Sequence, residues 1–324
     1  MARSSPPSPK RTSDELLRRT EAHRTVPLMG TFVTIEVVGS VSSQRRDPTE
    51  TSNALSRAFD WFHRVEECCT RFEPQSEVMQ LASHPGIAVP ASAILFEAVQ
   101  FAWAVAAETG GAFDPTVGYA METRGFNREY RTGQIIRSEM PSSAVSYRYV
   151  RLDRAEKTIT LLRPLILDLG AVAKGLAIDL AARELQAFEN FAIDAGGDLY
   201  LAGCNAEGEP WSIGIRHPRR DNELLGTLRT SNQAVCTSGD YERRTSPDPH
   251  GHHILDPRTG DSAQSVASVT VIAPTAMMAD ALSTAAFVLG PAEGIRLFER
   301  MGVEGLIVVP SLERYATEGF PSAF

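Results

Sequence analysis

The stretch TAMMADALSTAAFVLG, residues 275–290, is apolar along most of its length, yet it carries Asp280 and Thr284. Pro274 fits the first turn of a helix and Gly290 fits its end. Asp280 and Thr284 stand four positions apart, so they lie on one face of that helix. A carboxylate on a buried helix is unfavourable unless it is paired or bound to a metal. The stretch therefore predicts a buried helix that carries a functional carboxylate.

The polar groups of this helix offer only oxygen ligands. Oxygen-only sites with few protein ligands suit Mg²⁺, which shares its coordination shell with phosphates and water. The alternative is a hydrogen-bonded Asp280 and a Thr284 hydroxyl that binds its own helix backbone. The helix alone leaves both interpretations open.

Composition indicates an ordinary globular protein. The chain has 324 residues, of which 43% are hydrophobic and 22% charged, and this length allows one large domain or two intimate lobes. A formal net charge of −8 argues against nucleic acid as a partner, because phosphate backbones attract basic surfaces. The four cysteines include no C-x-x-C pair, which is typical of reduced thiols in a cytosolic protein.

Both chain ends read as tails. Residues 1–24 are rich in Ser, Pro and Arg and contain no apolar core of a signal peptide, so a disordered tail is predicted there. A single folded domain is expected over residues 25–315, followed by a tail over 316–324. No apolar run of about 18 residues exists. These features lead us to expect no membrane span and a cytoplasmic location.

The patterning between the tails mixes helices with strands. Helical spacing of apolar residues occurs at 53–69, 91–108 and 292–301, and a hairpin with its turn near 154–157 is expected. Residues 165–170 read as a strand that runs into a helix. Further strands are predicted at 32–38, 191–195, 199–203, 211–216, 268–273 and 305–309. Without a regular βαβ rhythm, the pattern indicates an α+β fold with largely antiparallel sheets and packed helices.

DLGAVAKG, residues 168–175, is one candidate site for an anion. Asp168 is predicted to end a strand, Gly170 permits a tight turn, and Lys174 is expected in the first turn of the next helix. Helix N-termini bind anions through free N–H groups, and a lysine adds positive charge. The spacing is not that of a P-loop. The alternative is a strand–turn–helix with a solvated lysine.

Two further clusters could carry chemistry. GGAFDPTVG, residues 110–118, could present backbone groups and Asp114 to a nucleotide, or it could be an ordinary turn. HHILDPRTG, residues 252–260, begins with His252 and His253, and a histidine can take a proton from a hydroxyl near neutral pH. Two histidines without further spaced ligands are a weak zinc signal.

The order of these motifs resembles the ApbE-like family of Mg²⁺-dependent FAD:protein FMN transferases. The motifs are MGT, GAFDPTVG, DLGAVAKG, AGGD, TSGDY, HILDPRTG and ADALSTA, from residue 29 to residue 285. Family enzymes cleave the FAD pyrophosphate, release AMP and attach FMN to a Ser or Thr of a flavin-carrier protein. The resemblance implies this reaction and an ApbE-like fold with a flavin cleft between two intimate lobes.

The resemblance also implies roles for single residues. The carbonyl of Ala171, the carboxylate of Asp280 and the hydroxyl of Thr284 would bind Mg²⁺, with Asp280 counted among the catalytic residues. His253 would deprotonate the acceptor hydroxyl. Residues at FAD-contacting positions are Met29, Phe72, Ala112, Phe113, Asp114, Asp168, Lys174 and Ile254.

Two departures and two rival functions accompany the resemblance. Phe72 stands where the family often has Tyr, so it can stack on a ring but lacks a hydroxyl. Many family members are exported lipoproteins, whereas no leader is recognisable here.

Two other functions are alternatives to FMN transfer. They are a Mg²⁺-dependent FAD pyrophosphatase and a non-catalytic FAD-binding protein.

Overall fold

Antiparallel strands form the centre of the structure. The computed structural model describes residues 20–39, 47–138, 144–243 and 251–321. The strands of the main sheet are β1 (Thr20–Leu28), β2 (Thr31–Val38), β6 (Asn190–Ala195), β7 (Asp198–Ala202), β10 (Gln233–Gly239), β11 (Ser268–Ala273), β12 (Glu304–Val308) and β13 (Arg314–Ala316). They lie in the order β1–β2–β6–β7–β10–β11–β12–β13, and each neighbouring pair is antiparallel.

Smaller sheets lie beside this one. The first contains β3 (Val89–Pro90), β4 (Val150–Asp153) and β5 (Thr158–Leu161), in the order β3–β5–β4. The second is the hairpin of β8 (Trp211–Arg216) and β9 (Leu224–Thr230). Together these sheets confirm the predicted α+β class with antiparallel strands, including the hairpin whose turn was expected near residues 154–157.

The helices pack on the main sheet. Within the described residues they are α1 (Pro48–Cys69), α2 (Glu77–Ala82), α3 (Ala93–Glu108), α4 (Gly118–Thr123), α5 (Gly170–Glu184), α6 (Ala276–Leu289) and α7 (Pro291–Met301). Side chains of α1, α3, α5 and α6 form one large core cluster with residues of the sheet. A second cluster on the β8–β9 side contains Trp211 and Leu228. All six residues of β11 are buried, as expected for a strand covered on both faces.

Helix α6 begins later than the sequence suggested. Pro274 lies outside the helix, and Thr275 is its N-cap, with its hydroxyl accepting a hydrogen bond from Met278 N–H at 3.3 Å. A threonine side chain satisfies one free N–H of the first turn, whereas proline would only have removed one. Gly290 ends the helix as predicted.

The strand predicted to end at Asp168 does not form. Residues 165–169 belong to no sheet. Their backbone pairs instead with the turn at Pro115 and Gly118: Asp168 N–H donates to the Pro115 carbonyl at 2.7 Å, and Gly118 N–H donates to the Ile166 carbonyl at 3.2 Å. This pairing joins two of the candidate motifs directly.

The ends of the described chain differ from the expected boundaries. Strand β1 begins at Thr20, so residues 20–24 of the expected tail pair with β2. Residues 1–19 and 322–324 lie outside the described residues. At the other end β13 crosses the expected boundary after residue 315, and Thr317 N–H donates to the Gly305 carbonyl at 3.0 Å.

Candidate functional site

Helices α5 and α6 meet in close antiparallel contact. A Cβ atom on Gly175 would lie 2.5 Å from the backbone nitrogen of Met277, so only glycine fits there. Further along α5, the Asp179 carboxylate accepts hydrogen bonds from Ala276 N–H at 2.7 Å and Met277 N–H at 3.0 Å. The same pair of helices carries Lys174 and Asp280, whose side chains meet across the contact.

Lys174 lies between two buried carboxylates. Its Nζ contacts a carboxylate oxygen of Asp198 and lies 3.3 Å from Oδ2 of Asp280. Asp198 and Asp280 are only 4% and 6% exposed. Because α5 begins at Gly170, Lys174 opens the second turn, not the first as expected. Lys174 is therefore not the solvated lysine of the alternative interpretation. In their ionised forms, Lys174, Asp198 and Asp280 together carry a net charge of −1.

Three hydroxyl groups cluster next to Asp280 along α6 and on the facing strand. Ser238 Oγ on β10 lies 2.8 Å from Ser283 Oγ and 3.2 Å from Thr284 Oγ1. Ser283 Oγ also donates to the Asp280 carbonyl at 2.8 Å. These contacts bring the motif TSGDY at the end of β10 against ADALSTA on α6.

The donor set fits a hard cation. The described residues contain no group of three or more His, Cys, Asp or Glu side chains that could hold a metal ion. A metal beside Asp280 would therefore depend on hydroxyl, carbonyl, water or phosphate oxygens, as Mg²⁺ does when it shares a phosphate ligand. The uncompensated negative charge around Lys174 favours a cation there.

Asp168 is held by a buried arginine. Arg71 Nε donates to Asp168 Oδ2 at 2.7 Å, and Gly170 N–H donates to Asp168 Oδ1 at 2.9 Å. Burial by itself would raise the pKa of Asp168, but the Arg71 guanidinium and the Gly170 hydrogen bond lower it below its usual value. The guanidinium also covers the Phe72 ring, with Cζ 4.4 Å from the ring centroid.

His253 and His252 differ in their surroundings. His252 is 3% exposed, its Nε2 lies 2.8 Å from the Ala263 carbonyl, and its ring packs edge-on against Phe287. For His253, buried Nδ1 has no partner among the described residues. Burial and then the positive charge of Arg243 lower the pKa of His253 to about 3. His252 is therefore structural, whereas His253 is a neutral imidazole with a free nitrogen.

The loop GAFDPTVG is a turn that is stabilised by hydrogen bonds to the Asp114 side chain. Ala112 and Phe113 are 7% and 5% exposed. The Asp114 carboxylate accepts from Thr116 N–H at 2.9 Å, from the Thr116 hydroxyl at 2.7 Å and from Tyr147 N–H at 3.0 Å. The turn interpretation therefore accounts for Asp114, whose carboxylate oxygens already have protein partners.

Met29 and Ile254 complete the sequence-predicted set. Met29 is half-buried in the β1–β2 turn with a positive φ of 52°, which is unusual for a residue other than glycine. Ile254 is 3% exposed and accepts a hydrogen bond from Ala263 N–H at 3.0 Å. The pair Gly196 and Gly197 forms the β6–β7 turn, with φ of 68° and 93°.

Asp168 and Lys174 thus lie close enough to His253 for their charges to act on its pKa, and Lys174 also pairs with Asp280. It also shows polar residues to which the sequence assigned no role, namely Arg71, Asp198 and Ser238. Asp198 lies in the motif AGGD and Ser238 in TSGDY, and Arg71 directly precedes Phe72. An available signal was that Asp198 is a carboxylate at the start of an otherwise apolar strand.

Fold and site together define a class: an α+β protein with a buried Lys174–Asp198–Asp280 group, a buried neutral histidine and an arginine–aspartate pair. The chain belongs to the ApbE family, whose model matches residues 29–307.

Related sequences and solved structures can be aligned with most of this chain. A Haemophilus influenzae FAD:protein FMN transferase is 32% identical over 67% of this chain and 66% of its own length. The Vibrio cholerae FAD:protein FMN transferase is 27% identical over 93% of this chain and 92% of its own. The crystal structure of the Thermotoga maritima ApbE protein superimposes with a TM-score of 0.80 at 33% identity, covering 92% of this chain and 97% of that one.

Proposed function

We propose that this protein transfers FMN from FAD to a Ser or Thr hydroxyl of a flavin-carrier protein, forming a phosphoester bond and releasing AMP. Membership of the ApbE family, with relatives named as FAD:protein FMN transferases, is the observation that carries the proposal. The buried oxygen cluster beside a free imidazole supports it, because phosphoryl transfer depends on positioning and on neutralising charge.

Three oxygen donors would hold Mg²⁺: the Asp280 carboxylate, the Thr284 hydroxyl and the Ala171 carbonyl. The close packing of α5 on α6 supports this set, since Ala171 belongs to one helix and Asp280 and Thr284 to the other. When bound, the ion neutralises pyrophosphate oxygens and polarises the phosphorus. Lys174 stays next to this position because Asp198 pairs with it independently of Asp280.

FAD would bind at the eight positions predicted from the sequence. Of these, Ala112, Phe113 and Ile254 are buried, so they would contact FAD mainly through backbone groups. Phe72 offers one ring face for stacking, because Arg71 covers the other. The remaining positions are Met29, Asp114, Asp168 and Lys174.

His253 would act as the general base. Its neutral form accepts the proton of the acceptor hydroxyl, and Nδ1 is the nitrogen without a partner among the described residues. The hydroxyl oxygen then bonds to the FMN phosphorus, and the bond from that phosphorus to the bridging oxygen breaks. AMP leaves with the bonding electron pair, and its negative charge is balanced by the cations of the site.

The location of the protein stays a prediction. Across the residues described, none of the helices is long and apolar enough to cross a membrane. The cytoplasmic location expected from the sequence would be tested by fractionating cells that produce the full chain.

Nucleotide chromatography separates this proposal from its rivals. The protein is mixed with FAD and Mg²⁺, with and without a flavin-carrier domain that contains a Ser/Thr acceptor. We expect AMP only when the carrier is present. AMP with free FMN in the absence of carrier would indicate a pyrophosphatase, and tight FAD binding without AMP under either condition would indicate a binding protein.

A further inference from the structure

Arg71 is a buried cation, and one of its guanidinium nitrogens has no hydrogen-bond acceptor among the described residues. Its side chain is 5% exposed. Nε donates to Asp168 and Nη2 donates to the Phe126 carbonyl. Nη1 is buried and has no partner among the described residues. An unsatisfied donor on a buried guanidinium is unfavourable, so a partner is expected in the functional state.

The free donor lies in the candidate site. Phe126, whose carbonyl accepts from Arg71, packs its ring 6.4 Å from the His253 ring. His253 Nδ1 is also buried without a partner among the described residues. The two side chains that carry these unsatisfied atoms thus contact the same residue, Phe126. A polar ligand bound there would give both atoms a partner.

The position of Arg71 is fixed from several sides. Asp168 anchors Nε, the Phe126 carbonyl anchors Nη2, and the guanidinium lies over the Phe72 ring. Because a guanidinium is planar, these contacts also fix the direction of Nη1. Asp168 neutralises the charge of Arg71, and Arg243 adds positive charge nearby. Because a guanidinium N–H can only donate, the partner of Nη1 is an acceptor atom, and an oxygen that carries negative charge makes the strongest such bond.

We propose that Arg71 is a further binding residue for the nucleotide, whose Nη1 donates a hydrogen bond to an acceptor oxygen of bound FAD while Nε holds Asp168 in place. This inference rests on the proposed function for the identity of the ligand. It adds a contact at a position adjacent to Phe72, to which the family resemblance assigned no role.

The test compares FAD affinity in two variants at Arg71. Arg71→Lys keeps the positive charge opposite Asp168, so the buried carboxylate stays compensated, but it loses the fork of donors. Arg71→Gln removes the charge as well. We expect FAD dissociation constants roughly tenfold to a hundredfold higher in both variants, as for a lost hydrogen bond to a charged group. Flavin fluorescence quenching without Mg²⁺ measures the binding, and thermal melting measures the fold.

Arg300→Lys is the matched control. Arg300 also pairs through Nε with a carboxylate, Glu108, at 3.2 Å, but its side chain is 50% exposed. We expect wild-type FAD affinity in this variant. Folded Arg71→Lys protein that binds FAD as tightly as the wild type would overturn the inference and leave Arg71 a structural residue.

Smaller ligands locate the acceptor oxygen. A loss of affinity shared by riboflavin places the oxygen on the isoalloxazine ring or ribityl chain. A loss confined to FMN and FAD places it on the flavin phosphate, and a loss confined to FAD places it on the AMP half. Equilibrium binding needs no turnover, so a failure of FMN transfer in the wild type would count against the proposed function and not against Arg71.

Discussion

Asp280 has a partner within the protein, and this changes how its burial is explained. The sequence alone suggested that a metal compensates the carboxylate. The structure shows Lys174 3.3 Å away, shared with Asp198. Because Lys174 is shared by two buried carboxylates, one negative charge is left without a partner. Pairing with Lys174 and binding of a metal are therefore complementary explanations for the burial of Asp280.

Replacing Asp280 by alanine should abolish Mg²⁺-dependent turnover. We expect at least roughly a hundredfold loss in kcat, as when one group that stabilises transition-state charge is removed. AMP release in the presence of carrier, followed over a Mg²⁺ titration, measures it. Asp221→Ala, at a side chain that is 91% exposed, serves as the control. Unchanged turnover in Asp280→Ala would remove the metal assignment.

The acid side of the pH profile should be governed by the low pKa of His253. With a pKa of about 3 instead of 6.5, set by burial and then by Arg243, its neutral form persists as the pH falls through 6.5. We therefore expect no loss of kcat/KM from His253 between pH 7.5 and pH 5.5. NMR titration of the imidazole, assigned with His253→Gln, checks this. A titration near pH 6.5 in the free protein would contradict it.

At the scale of elements, α5 provides a cap for α6. Burial raises the pKa of Asp179 to about 6, although two N–H groups of α6 donate to it. The folded protein therefore binds a proton more tightly than the unfolded chain, whose value is near 3.8. A group with a raised carboxyl pKa adds stability as the pH falls through 6, and this addition is absent above it.

Asp179→Asn should remove this pH dependence. Between pH 7 and pH 4.5 we expect wild type to gain about 2 kcal/mol of unfolding free energy relative to the variant, from the two pKa values. Urea unfolding at both pH values measures it. A wild-type-to-variant difference that stays constant with pH would show that Asp179 keeps an ordinary pKa.

Gly175→Ala tests the close approach of α5 and α6. The added methyl group would meet the Met277 backbone, which cannot rotate away as a side chain would. We expect a destabilisation of about 1–3 kcal/mol or more, and weaker FMN transfer because both helices carry site residues. Arg183→Ala, on the exposed face of α5, should change stability by less than about 0.5 kcal/mol. Equal melting temperatures for Gly175→Ala and wild type would refute the packing described.

Helices and strands could be predicted from the sequence where apolar residues recur at a clear helical or strand spacing. Leu55, Phe59 and Phe62 follow helical spacing, and α1 forms with all three buried. Residues 20–24 were expected in the tail because they are polar and show no apolar pattern, yet such residues also suit an exposed edge strand. Residues 165–169 looked like a strand but pair with the turn at Pro115, a contact that no local pattern reveals.

At the scale of the whole molecule, the motif order predicted the family, but not the contacts between motifs. Arg71 and Asp168 are 97 positions apart, and Lys174 and Asp280 are 106 apart. Which charges meet over such distances depends on the packing of α5 against its neighbours. The residue types therefore indicated sites for an anion and for a cation. The Arg71–Asp168 and Lys174–Asp198 pairs could be identified only from the folded structure.

The most direct test of the central claim is to detect flavin on the acceptor protein itself. Carrier domain, FAD and Mg²⁺ are incubated with the protein, and the denatured carrier is examined by in-gel fluorescence and intact mass. We expect one FMN per carrier, none on a carrier whose acceptor Ser or Thr is replaced by Ala, and none with Asp280→Ala protein. A carrier that stays unlabelled while FMN and AMP accumulate in solution would contradict it.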